Sequence, residues 1–564
     1  MLALMTELAT RAGVPVATVA RAKKVEFGDI QINAAMQLAK AEKKQPREIA
    51  ARIVAAIQDH PAVAKAEIAG PGFVNIFVRD GWLAQNSGAA LAVRDVAQGA
   101  RVVIDYSSPN VAKPLHIAHI RSIVIGDAIK RALKAVGYEV IADNHIGDWG
   151  TQFGKLIVAW RKWADEAAFA KDPVAELLRL YIKFQEESKL GKDDEGTDAT
   201  PLVREARAET VKMQQGDPEN RALWKKFLDV SMIDLDRLYQ RLGVSFDVTL
   251  GESFYHDMLA PTVKTLVDKG IAEESQGALV VFFRKPGGGD DEMPPFLVRK
   301  SDGGYNYGTT DVAGVLYRVE RWNPARIIIV VDERQQLHFR QLFATARRLG
   351  VTCSLEHVWF GLMRLPEGTI STREGKLIEL EAMLDEAETR AFAVATEANP
   401  ELPEAERRAI ARVVGTGAVK YNDLSKDRQT LVTFTWDKAL SLTGNSGPYL
   451  QYAYARIQSI LRKAQAEGAA PGNLGALEKS ERALLTKLYD YGAAVEAVAA
   501  QTRPHLLCDY LFDLAGAFST FYSEHQVLKA EPTVRASRLQ LCALTARALK
   551  DGLGLLGIDV LDRM

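Results

Sequence analysis

Two kinds of apolar spacing alternate in the middle of the chain. Val102–Asp105 is a short apolar run typical of a buried strand, and apolar positions at helical spacing then continue for about 17 residues from Ile117. A second strand is expected at Tyr138–Ala142. Because a strand, a helix and a strand in succession favour parallel pairing, this region predicts the start of a parallel sheet covered by helices.

The same patterns divide the chain into segments of different character. Residues 1–97 combine helical spacing with an extended apolar run, which predicts an α+β domain. Residues 98–375 carry the alternation of strands and helices, interrupted at about 160–295 by a charged, largely helical stretch that we interpret as an insertion. After a linker at 376–410, residues 411–564 have helical spacing throughout, which predicts a helical bundle. Strands at Arg326–Val331 and His357–Phe360 are expected to complete the sheet after the insertion.

Composition narrows the class of protein. The chain has 564 residues, of which 47% are hydrophobic and 25% charged, enough to bury a large core over several domains. The formal net charge of -1 does not require a polyanionic partner, so any nucleic-acid surface is expected to be local. Cys353, Cys508 and Cys542 lie far apart without C-x-x-C spacing, which argues against a disulfide framework and against a structural zinc site.

The chain also lacks the pattern of an exported or membrane-spanning protein. Glu7 falls where a secretory signal would need its apolar core, and no run approaches about 18 apolar residues. We therefore expect a cytoplasmic protein that does not bind a membrane.

The densest group of chemically capable residues lies between the first predicted strand and its helix, at Ser107–Arg121. Ligands of parallel α/β sheets bind at this edge. His116 and His119 are three residues apart in the first helical turn, where backbone N–H groups and the helix dipole favour a phosphate. Lys113 adds a positive charge, and the small Ala118 would let a flat base approach the backbone. The segment predicts nucleotide chemistry, although H-x-x-H alone is common in ordinary helices.

This segment resembles the signature of class I aminoacyl-tRNA synthetases. The string S-x-P-N-x-A-K-P-x-H-x-x-H-x-R is similar to that of the arginyl-tRNA synthetase family, and the similarity continues through Asn144–Gly154 and over essentially the whole chain. Ala118 stands where the family usually has glycine, and we expect its methyl group to perturb adenine binding only slightly. The second class I signature is degenerate at Ile370–Lys376, and the resemblance implies that Lys113 takes over its task.

The resemblance implies an α/β fold: a Rossmann-type parallel-sheet catalytic domain with a helical insertion, an N-terminal α+β domain for the corner of tRNA, and a C-terminal all-α helical bundle for the anticodon. It implies an arginine–tRNA ligase that forms arginyl-adenylate with ATP and Mg²⁺ and transfers arginine to the 2'-hydroxyl of the terminal adenosine. The expected partners are arginine, ATP and tRNA, with tRNA bound before activation. We expect a monomer without a structural metal.

Two other functions stay open. A nucleotidyltransferase that adenylates another small acid without RNA would share the histidine pair, but it has no need of the two terminal domains. A non-catalytic RNA-binding relative would keep those domains and lose the site, and the intact His116, His119 and Lys113 count against it.

The resemblance assigns roles residue by residue. Catalytic roles fall to Lys113, His116 and His119. The residues expected at ATP are Pro109, Ala118, His116, His119, Arg373 and Lys376, of which the last two could equally be solvated loop cations. The residues expected at arginine are Asp105, Asn110, His116, Tyr307, Asp311 and Gln335. Asp311 would oppose the guanidinium group, yet it also stands at the expected start of a helix, where aspartate commonly serves as an N-cap.

For tRNA, the resemblance points to both ends of the chain. Phe73 and Asn75, in an extended run, suit stacking on an exposed loop base and reading its edge, although strand alternation would equally bury Phe73. Tyr449, Tyr452 and Arg456 lie three and four residues apart on one predicted helical face and suit stacking on anticodon bases. The same spacing is common for aromatic residues that pack between helices.

Overall fold

The computed structural model describes residues 1–111, 115–188, 200–285, 292–301, 303–365, 368–369 and 379–564. The N-terminal elements are α1 (Leu2–Ala12), β1 (Val19–Arg21), β2 (Ile30–Ile32), α2 (Ala35–Glu42), α3 (Pro46–Ile57), β3 (Val63–Ala69), β4 (Phe73–Val78) and α4 (Asp80–Gln85). The strands form an antiparallel sheet in the order β1-β2-β4-β3, and α1 and α3 contact it. Leu8, Ile30 and Ile53 are fully buried in this unit. This is the predicted α+β architecture.

The first half of the central sheet follows. Its elements are β5 (Arg101–Asp105), α5 (His119–Ala135) and β6 (Glu139–Asp143). The two strands pair in parallel, with Asp105 opposite Asp143 at their carboxyl ends. Val102, Val103 and Ile104 are all fully buried, because β5 lies inside the sheet and neither of its faces is open to water.

The insertion contains helices and a small sheet. Its elements are α6 (Thr151–Trp163), α7 (Glu166–Lys171), α8 (Pro173–Glu187), α9 (Pro201–Gln214), α10 (Pro218–Leu242), α11 (His256–Asp268), β7 (Glu273–Ser275), β8 (Ala278–Val281) and β9 (Phe296–Arg299). Asp172, Thr200 and Asp217 cap helices that begin with proline. The insertion is largely helical, as expected, and the antiparallel sheet β7-β8-β9 at its end was not predicted. Strands of three or four residues carry too little periodicity to be read from sequence.

The parallel sheet is completed after the insertion. The elements are α12 (Tyr307–Trp322), β10 (Arg326–Ile329), α13 (Gln336–Arg348) and β11 (Ser354–His357). The strands lie in the order β11-β10-β5-β6 and all pair in parallel. β10 pairs directly with β5, so Ile329 lies opposite Asp105. The two halves of the sheet, separated in sequence by the insertion, therefore form one continuous sheet. The carboxyl ends of their strands lie along the same edge.

The rest of the chain is mainly helical. Its elements are β12 (Met363–Leu365), β13 (Gly368–Thr369), α14 (Leu380–Ala398), α15 (Glu404–Leu424), β14 (Val432–Thr433), α16 (Trp436–Ala439), α17 (Gly447–Ala466), α18 (Lys479–Leu488), α19 (Tyr491–Gln501), α20 (His505–Glu524) and α21 (Pro532–Leu555). β12 pairs with β13 and with β14, so the expectation that every segment beyond 410 is helical is wrong at β14. Leu511, Leu514 and Leu549 are fully buried in the C-terminal bundle.

Helix α5 connects the sheet to the C-terminal helices. It follows β5 and contacts α15, α19 and α21, and its buried residues include Ile120, Ile123 and Ile129. The predicted fold class, a Rossmann-type sheet domain between an α+β domain and a helical bundle, is confirmed. Among the described segments, no helix is both long and apolar enough to cross a bilayer.

Candidate active site

A cavity of about 430 Å³ lies at the carboxyl ends of the parallel strands. Ligands of parallel α/β sheets bind at this edge, where strand ends, loops and helix starts meet. Side chains from the end of β5, the start of α12 and the start of α13 converge on the cavity. Its polar lining includes Asp105, Asn110, His145, Glu252, Asp311 and Arg318.

The turn after β5 has a strained backbone. Ser107 and Ser108 have φ values of 70° and 47°, a left-handed conformation that costs free energy for residues other than glycine. The two hydroxyls of Ser107 and Tyr239 lie 2.7 Å apart, and the Ser108 N–H donates to Asn144 Oδ1 at 3.1 Å. Ser108 Oγ also donates to Asp105 Oδ1 at 2.6 Å. These contacts hold the turn, and the turn holds the Asp105 carboxylate at the cavity.

Gly147, in the Asn144–Gly154 string, allows residues 109–111 to pass close to its backbone. The N–H of Gly147 donates to the carbonyl of Pro109 at 2.9 Å, and the N–H of Val111 donates to the carbonyl of Gly147 at 3.2 Å. A Cβ atom at position 147 would lie 2.2 Å from Asn110 Oδ1, a distance that real contacts do not reach. Glycine is therefore required here for Asn110 to keep its place in the cavity wall.

Asp105 belongs to a buried charge cluster. Arg318 Nη2 lies 2.6 Å from Asp105 Oδ2 and 2.7 Å from Asp143 Oδ2, and all three side chains are buried. Burial raises the pKa of Asp143 even though Arg318 opposes this. Burial would lower the pKa of Arg318, but the Asp105 and Asp143 carboxylates raise it well above its usual value. Two carboxylates share one guanidinium, so this end of the cavity keeps an acidic excess.

Asp311 lies within α12 and is not its N-cap. Asn306 caps the helix, and its Oδ1 accepts from the N–H of Tyr307 at 2.9 Å. The helix therefore begins four residues before Asp311, which corrects the expectation that it begins at Asp311. The Asp311 side chain lines the cavity, with Oδ2 lying 2.6 Å from His338 Nε2. The N-cap alternative for Asp311 is thereby removed.

Further titratable groups line the same cavity. Burial raises the pKa of Glu252, which lines the same wall. Burial disfavours the charged imidazole of His145, but the neighbouring carboxylates, Asp105 first, raise its pKa above the usual value. Arg334 is held by Asp332 at 2.5 Å. An acidic pocket with a planar aromatic neighbour suits a guanidinium ion, which carries a delocalised charge and a rigid fork of donors.

Most residues expected at arginine line this cavity. Tyr307 is 61% exposed at its mouth, with its ring centroid 4.9 Å from that of His338. Gln335 ends the short turn that precedes α13 and also lines the cavity. The structure thus brings together five of the six candidates, namely Asp105, Asn110, Tyr307, Asp311 and Gln335. His116, the sixth, is not part of this lining.

The rings of His116 and His119 lie against each other before and at the start of α5, with centroids 3.8 Å apart and an interplanar angle of 35°. His116 Nδ1 accepts from the backbone N–H of Ala118 at 3.3 Å, and His119 Nδ1 accepts from the N–H of His116 at 3.0 Å. Because each Nδ1 is an acceptor, each neutral ring carries its proton on Nε2. An Nε2–H group is a donor of the kind that phosphate oxygens accept.

Three of the predicted residues, Lys113, Arg373 and Lys376, lie outside the described residues. The chain on either side of them is described. Glu379, which follows the second signature, forms an isolated bridge with His116, and the N–H of Leu380 donates to the carbonyl of Leu115 at 2.8 Å. Glu379 and Leu380 therefore lie directly beside the first signature.

The residues expected to contact tRNA differ in exposure. Phe73 is half-buried on β4, whereas Asn75 is 2% exposed and its Oδ1 accepts from Gln31 Nε2 at 2.8 Å. The two residues lie on the same face of the strand, and of the two side chains the aromatic ring is the more accessible. On α17, Tyr452 is 44% exposed.

The neighbours of Tyr452 on α17 each have a partner within the bundle. Tyr449 is half-buried, with its ring centroid 5.8 Å from that of Phe512. Arg456 is exposed, and its guanidinium lies 4.6 Å from the ring centroid of Tyr522. The three candidates therefore share a helix whose outer side reaches the surface.

Sequence reasoning missed several cavity residues. His145 lies inside the Asn144–Gly154 string that carries the resemblance, and His338 lies three residues after the expected Gln335, so both had a signal nearby in sequence. Arg318 and Glu252 stand in no motif. Arg318 is 213 residues from the Asp105 that it pairs with, and such a long-range ion pair leaves no local pattern to read.

The parallel sheet, the H-x-x-H turn after its first strand and the cavity at its carboxyl edge define the fold of a class I aminoacyl-tRNA synthetase. Three family models match the chain. They are described as "tRNA synthetases class I (R), catalytic domain" over residues 85–436, "DALR anticodon binding domain" over 450–564, and "Arginyl tRNA synthetase N terminal domain" over 5–78.

Known proteins resemble the chain over nearly its full length. It is 43% identical over 549 residues to an arginine–tRNA ligase of Fusobacterium nucleatum, which covers 95% of this chain and 94% of that protein. It is 43% identical over 583 residues to one of Cellvibrio japonicus, with 100% and 98% covered. The structure of Thermus thermophilus arginyl-tRNA synthetase superposes with a TM-score of 0.82 at 26% identity, covering 99% of this chain and 98% of that one. The chain belongs to the arginyl-tRNA synthetase family.

Proposed function

We propose that this protein is an arginine–tRNA ligase that works in two steps at the cavity of the parallel sheet. In the first step, a carboxylate oxygen of L-arginine attacks the α-phosphorus of ATP, the bond to the β-phosphate oxygen breaks, and pyrophosphate leaves. In the second step, the 2'-hydroxyl of the terminal adenosine of tRNA attacks the adenylate carbonyl, and AMP leaves. The observation that carries the proposal is the cavity that holds Asp311 at the carboxyl edge of the sheet, because the first strand of this sheet leads into the H-x-x-H turn.

Arginine is proposed to lie with its guanidinium group toward Asp311 and its reacting end toward the end of β5. Asp311 supplies the opposing charge, and Tyr307 and Gln335 shape the same pocket. Asp105 and Asn110 serve the α-amino and carboxylate end. Asp105 is shared with Arg318, so the α-amino group would join an existing charge cluster and would not meet an isolated carboxylate.

The ATP phosphates are proposed to lie at the first turn of α5. The Nε2–H groups of His116 and His119 donate to phosphate oxygens, and His116 also reaches the arginine carboxylate. Pro109 and Ala118 border the nucleotide. Lys113 adds charge to the same place, and Arg373 and Lys376 take the pyrophosphate end. No side chain becomes covalently attached, so the rate comes from positioning and from donors aimed at charge that develops on phosphate.

Mg²⁺ is proposed to enter with ATP. This ion commonly takes substrate phosphate oxygens and waters as ligands and few protein groups. Within the described part of the chain, no three His, Cys, Asp or Glu side chains are grouped as metal ligands. The described residues therefore do not form a protein cage for the ion, and no step of the proposed reaction is assigned to it.

The terminal units are proposed to hold tRNA, which would bind before activation. Residues 1–97 would serve the corner of tRNA through Phe73 and Asn75, and of these two Phe73 is the accessible one. Residues 411–564 would serve the anticodon through Tyr449, Tyr452 and Arg456. Exposed aromatic rings and a guanidinium on one helix suit stacking on unpaired bases.

The remaining assignments are also proposals. The catalytic domain would span 98–375 and a linker that contacts the tRNA stem would span 376–410. We propose a monomer in the cytoplasm, and the buried free thiols of Cys508 and Cys542 are compatible with a reducing compartment. Light scattering on the purified chain tests the monomer, because a dimer would double the measured mass.

Exchange of labelled pyrophosphate into ATP tests the proposed function. The purified chain is assayed with each of the standard amino acids, with and without tRNA. The proposal expects exchange that depends on arginine and is raised by tRNA. Exchange with a different acid and without RNA would indicate a nucleotidyltransferase. The absence of exchange with every acid tested would indicate a non-catalytic RNA-binding protein.

A further inference from the structure

Arg121 ends the first signature string, and the proposed function gives it no task. Its side chain is 1% exposed, although arginine is almost never fully buried without partners. Its Nε lies 2.7 Å from Asp423 Oδ1, and Asp423 is fully buried as well. The guanidinium also donates to three backbone carbonyls, those of Gly361 at 2.5 Å, Thr430 at 3.2 Å and Arg428 at 3.3 Å.

These partners come from three separate parts of the molecule. Arg121 stands two residues after His119 in the first turn of α5. Gly361 lies between β11 and β12, on the stretch that leads to the second signature. Asp423 lies in the last turn of α15, and Arg428 and Thr430 follow it. One guanidinium therefore joins the histidine turn, the approach to the second signature and the C-terminal helices.

The first turn of α5 is also fastened to the sheet. Ser122 Oγ donates to the carbonyl of Val330 at 2.6 Å and accepts from the N–H of Ser107 at 2.9 Å. Arg121 and Ser122 thus fix the same turn, to the C-terminal helices and to the sheet respectively. Because separating a buried ion pair leaves an uncompensated charge, the turn cannot shift relative to α15 without losing this contact.

We infer that Arg121 and Asp423 are a positioning pair for arginine activation: they hold the histidine turn where His116 and His119 reach the ATP phosphates, and they make that position depend on helix α15. The inference rests on the proposed function of the histidines. Neither residue of the pair touches substrate. Neither residue lines the cavity that holds Asp311, so the pair is expected to act mainly on turnover, with only a small effect on arginine affinity through His116.

Two variants of the full chain test the inference. Asp423→Asn removes the charge that opposes Arg121, and Arg121→Lys keeps the charge but loses the planar fork that reaches several carbonyls. Turnover and the Michaelis constants are measured by pyrophosphate exchange, per mole of folded protein determined by circular dichroism. We expect turnover to fall about a hundredfold in Asp423→Asn, as when a reacting group is misplaced, and less in Arg121→Lys. The Michaelis constant for arginine should stay within about twofold of its wild-type value, because the Asp311 pocket is unchanged.

A matched control is the Arg94–Glu496 pair, which also joins the C-terminal bundle to the rest of the chain. Arg94 Nε and Nη2 lie 2.9 and 2.5 Å from the Glu496 carboxylate, and neither residue lines the cavity or touches the histidine turn. Glu496→Gln should therefore leave turnover unchanged. If it lowers turnover as much as Asp423→Asn does, the effect belongs to domain contacts in general and the positioning role is wrong.

The remaining outcomes are distinct. Wild-type turnover in both Arg121→Lys and Asp423→Asn, or a loss confined to the Michaelis constant for arginine, overturns the positioning pair. If Asp423→Asn does not fold, Arg121→Lys decides alone, and a lowered turnover with unchanged arginine affinity supports the inference. A wild-type protein without arginine-dependent exchange overturns the proposed function itself, before any variant is compared.

Discussion

Asp311 is the residue on which selection of arginine depends in this account. The change Asp311→Asn keeps the shape of the side chain and removes the charge that opposes the guanidinium group. Charge-assisted hydrogen bonds contribute about 1.5–3 kcal/mol, so we expect the Michaelis constant for arginine to rise about tenfold to a hundredfold. Pyrophosphate exchange at varied arginine concentration measures this. Asp229→Asn, which removes a surface carboxylate that pairs with Lys225, is the control. An unchanged constant in Asp311→Asn would show that another carboxylate does the selecting.

Substitution of each of the two histidines tests the phosphate end of the site. His116→Ala or His119→Ala removes one Nε2–H donor aimed at the phosphates, and each donor is expected to stabilise the transition state by about 2–4 kcal/mol. Turnover should therefore fall about a hundredfold or more while circular dichroism stays unchanged. Steady-state exchange rates provide the measurement. Near-normal turnover in both variants would remove the histidines from the reaction.

At the residue scale, sequence and structure contribute different parts of the site. The resemblance led to five residues that converge on one sheet edge, because it carried their roles as well as their identity; they are Asp105, Asn110, Tyr307, Asp311 and Gln335. The ion pair of Asp105 with Arg318 and the contact of Asp311 with His338 could not be read in the same way. Each depends on the packing of elements that are far apart in sequence, and no local pattern encodes it.

At the element scale, long and strongly patterned segments were predictable. Strand β4 lies in the predicted extended run, and β5 and α5 lie where apolar spacing placed them. Short elements were missed, since β7, β8, β9 and β14 are two to four residues long and owe their structure to pairing with neighbours. The start of α12 was misplaced because Asp311 and Asn306 are both good caps, and only the fold selects Asn306.

Strand β11 carries a titratable group that affects stability in acid. Burial lowers the pKa of His357, its last residue, to about 4. In the unfolded chain the same imidazole titrates near 6.5, so between about pH 6.5 and pH 4 the unfolded state binds more protons. The contribution of the neutral His357 imidazole to the free energy of unfolding is therefore fully present above pH 6.5 and is lost as the pH falls toward 4.

The variant His357→Asn tests this pH dependence, because it removes the titrating group. After allowing for partial solvent screening, we expect the wild type to lose on the order of 1 kcal/mol more than the variant between pH 7 and pH 5. Urea midpoints at the two pH values provide the comparison. A wild type and a variant that weaken equally would show that His357 titrates normally in the folded protein.

At the scale of the whole molecule, ion pairs link the terminal units to each other and to the sheet. Arg482 of the C-terminal bundle reaches Asp29 at 2.9 Å and Asp80 at 2.5 Å, both in the N-terminal part of the chain. Arg94 and Glu496 form another such link. The two units proposed to hold tRNA are thus joined directly, and helix α5 lies between the bundle and the sheet. Binding of tRNA at both ends would act on one connected framework.

The central claim is that the guanidinium group and the phosphates occupy two ends of one site at the carboxyl edge of the sheet. A crystal structure of the protein with arginine, a non-hydrolysable ATP analogue and tRNA tests it most directly. The account predicts the guanidinium group within hydrogen-bond distance of Asp311 and phosphate oxygens within hydrogen-bond distance of His116 and His119. A structure in which arginine lies elsewhere, or in which the histidine turn carries no phosphate, would contradict it.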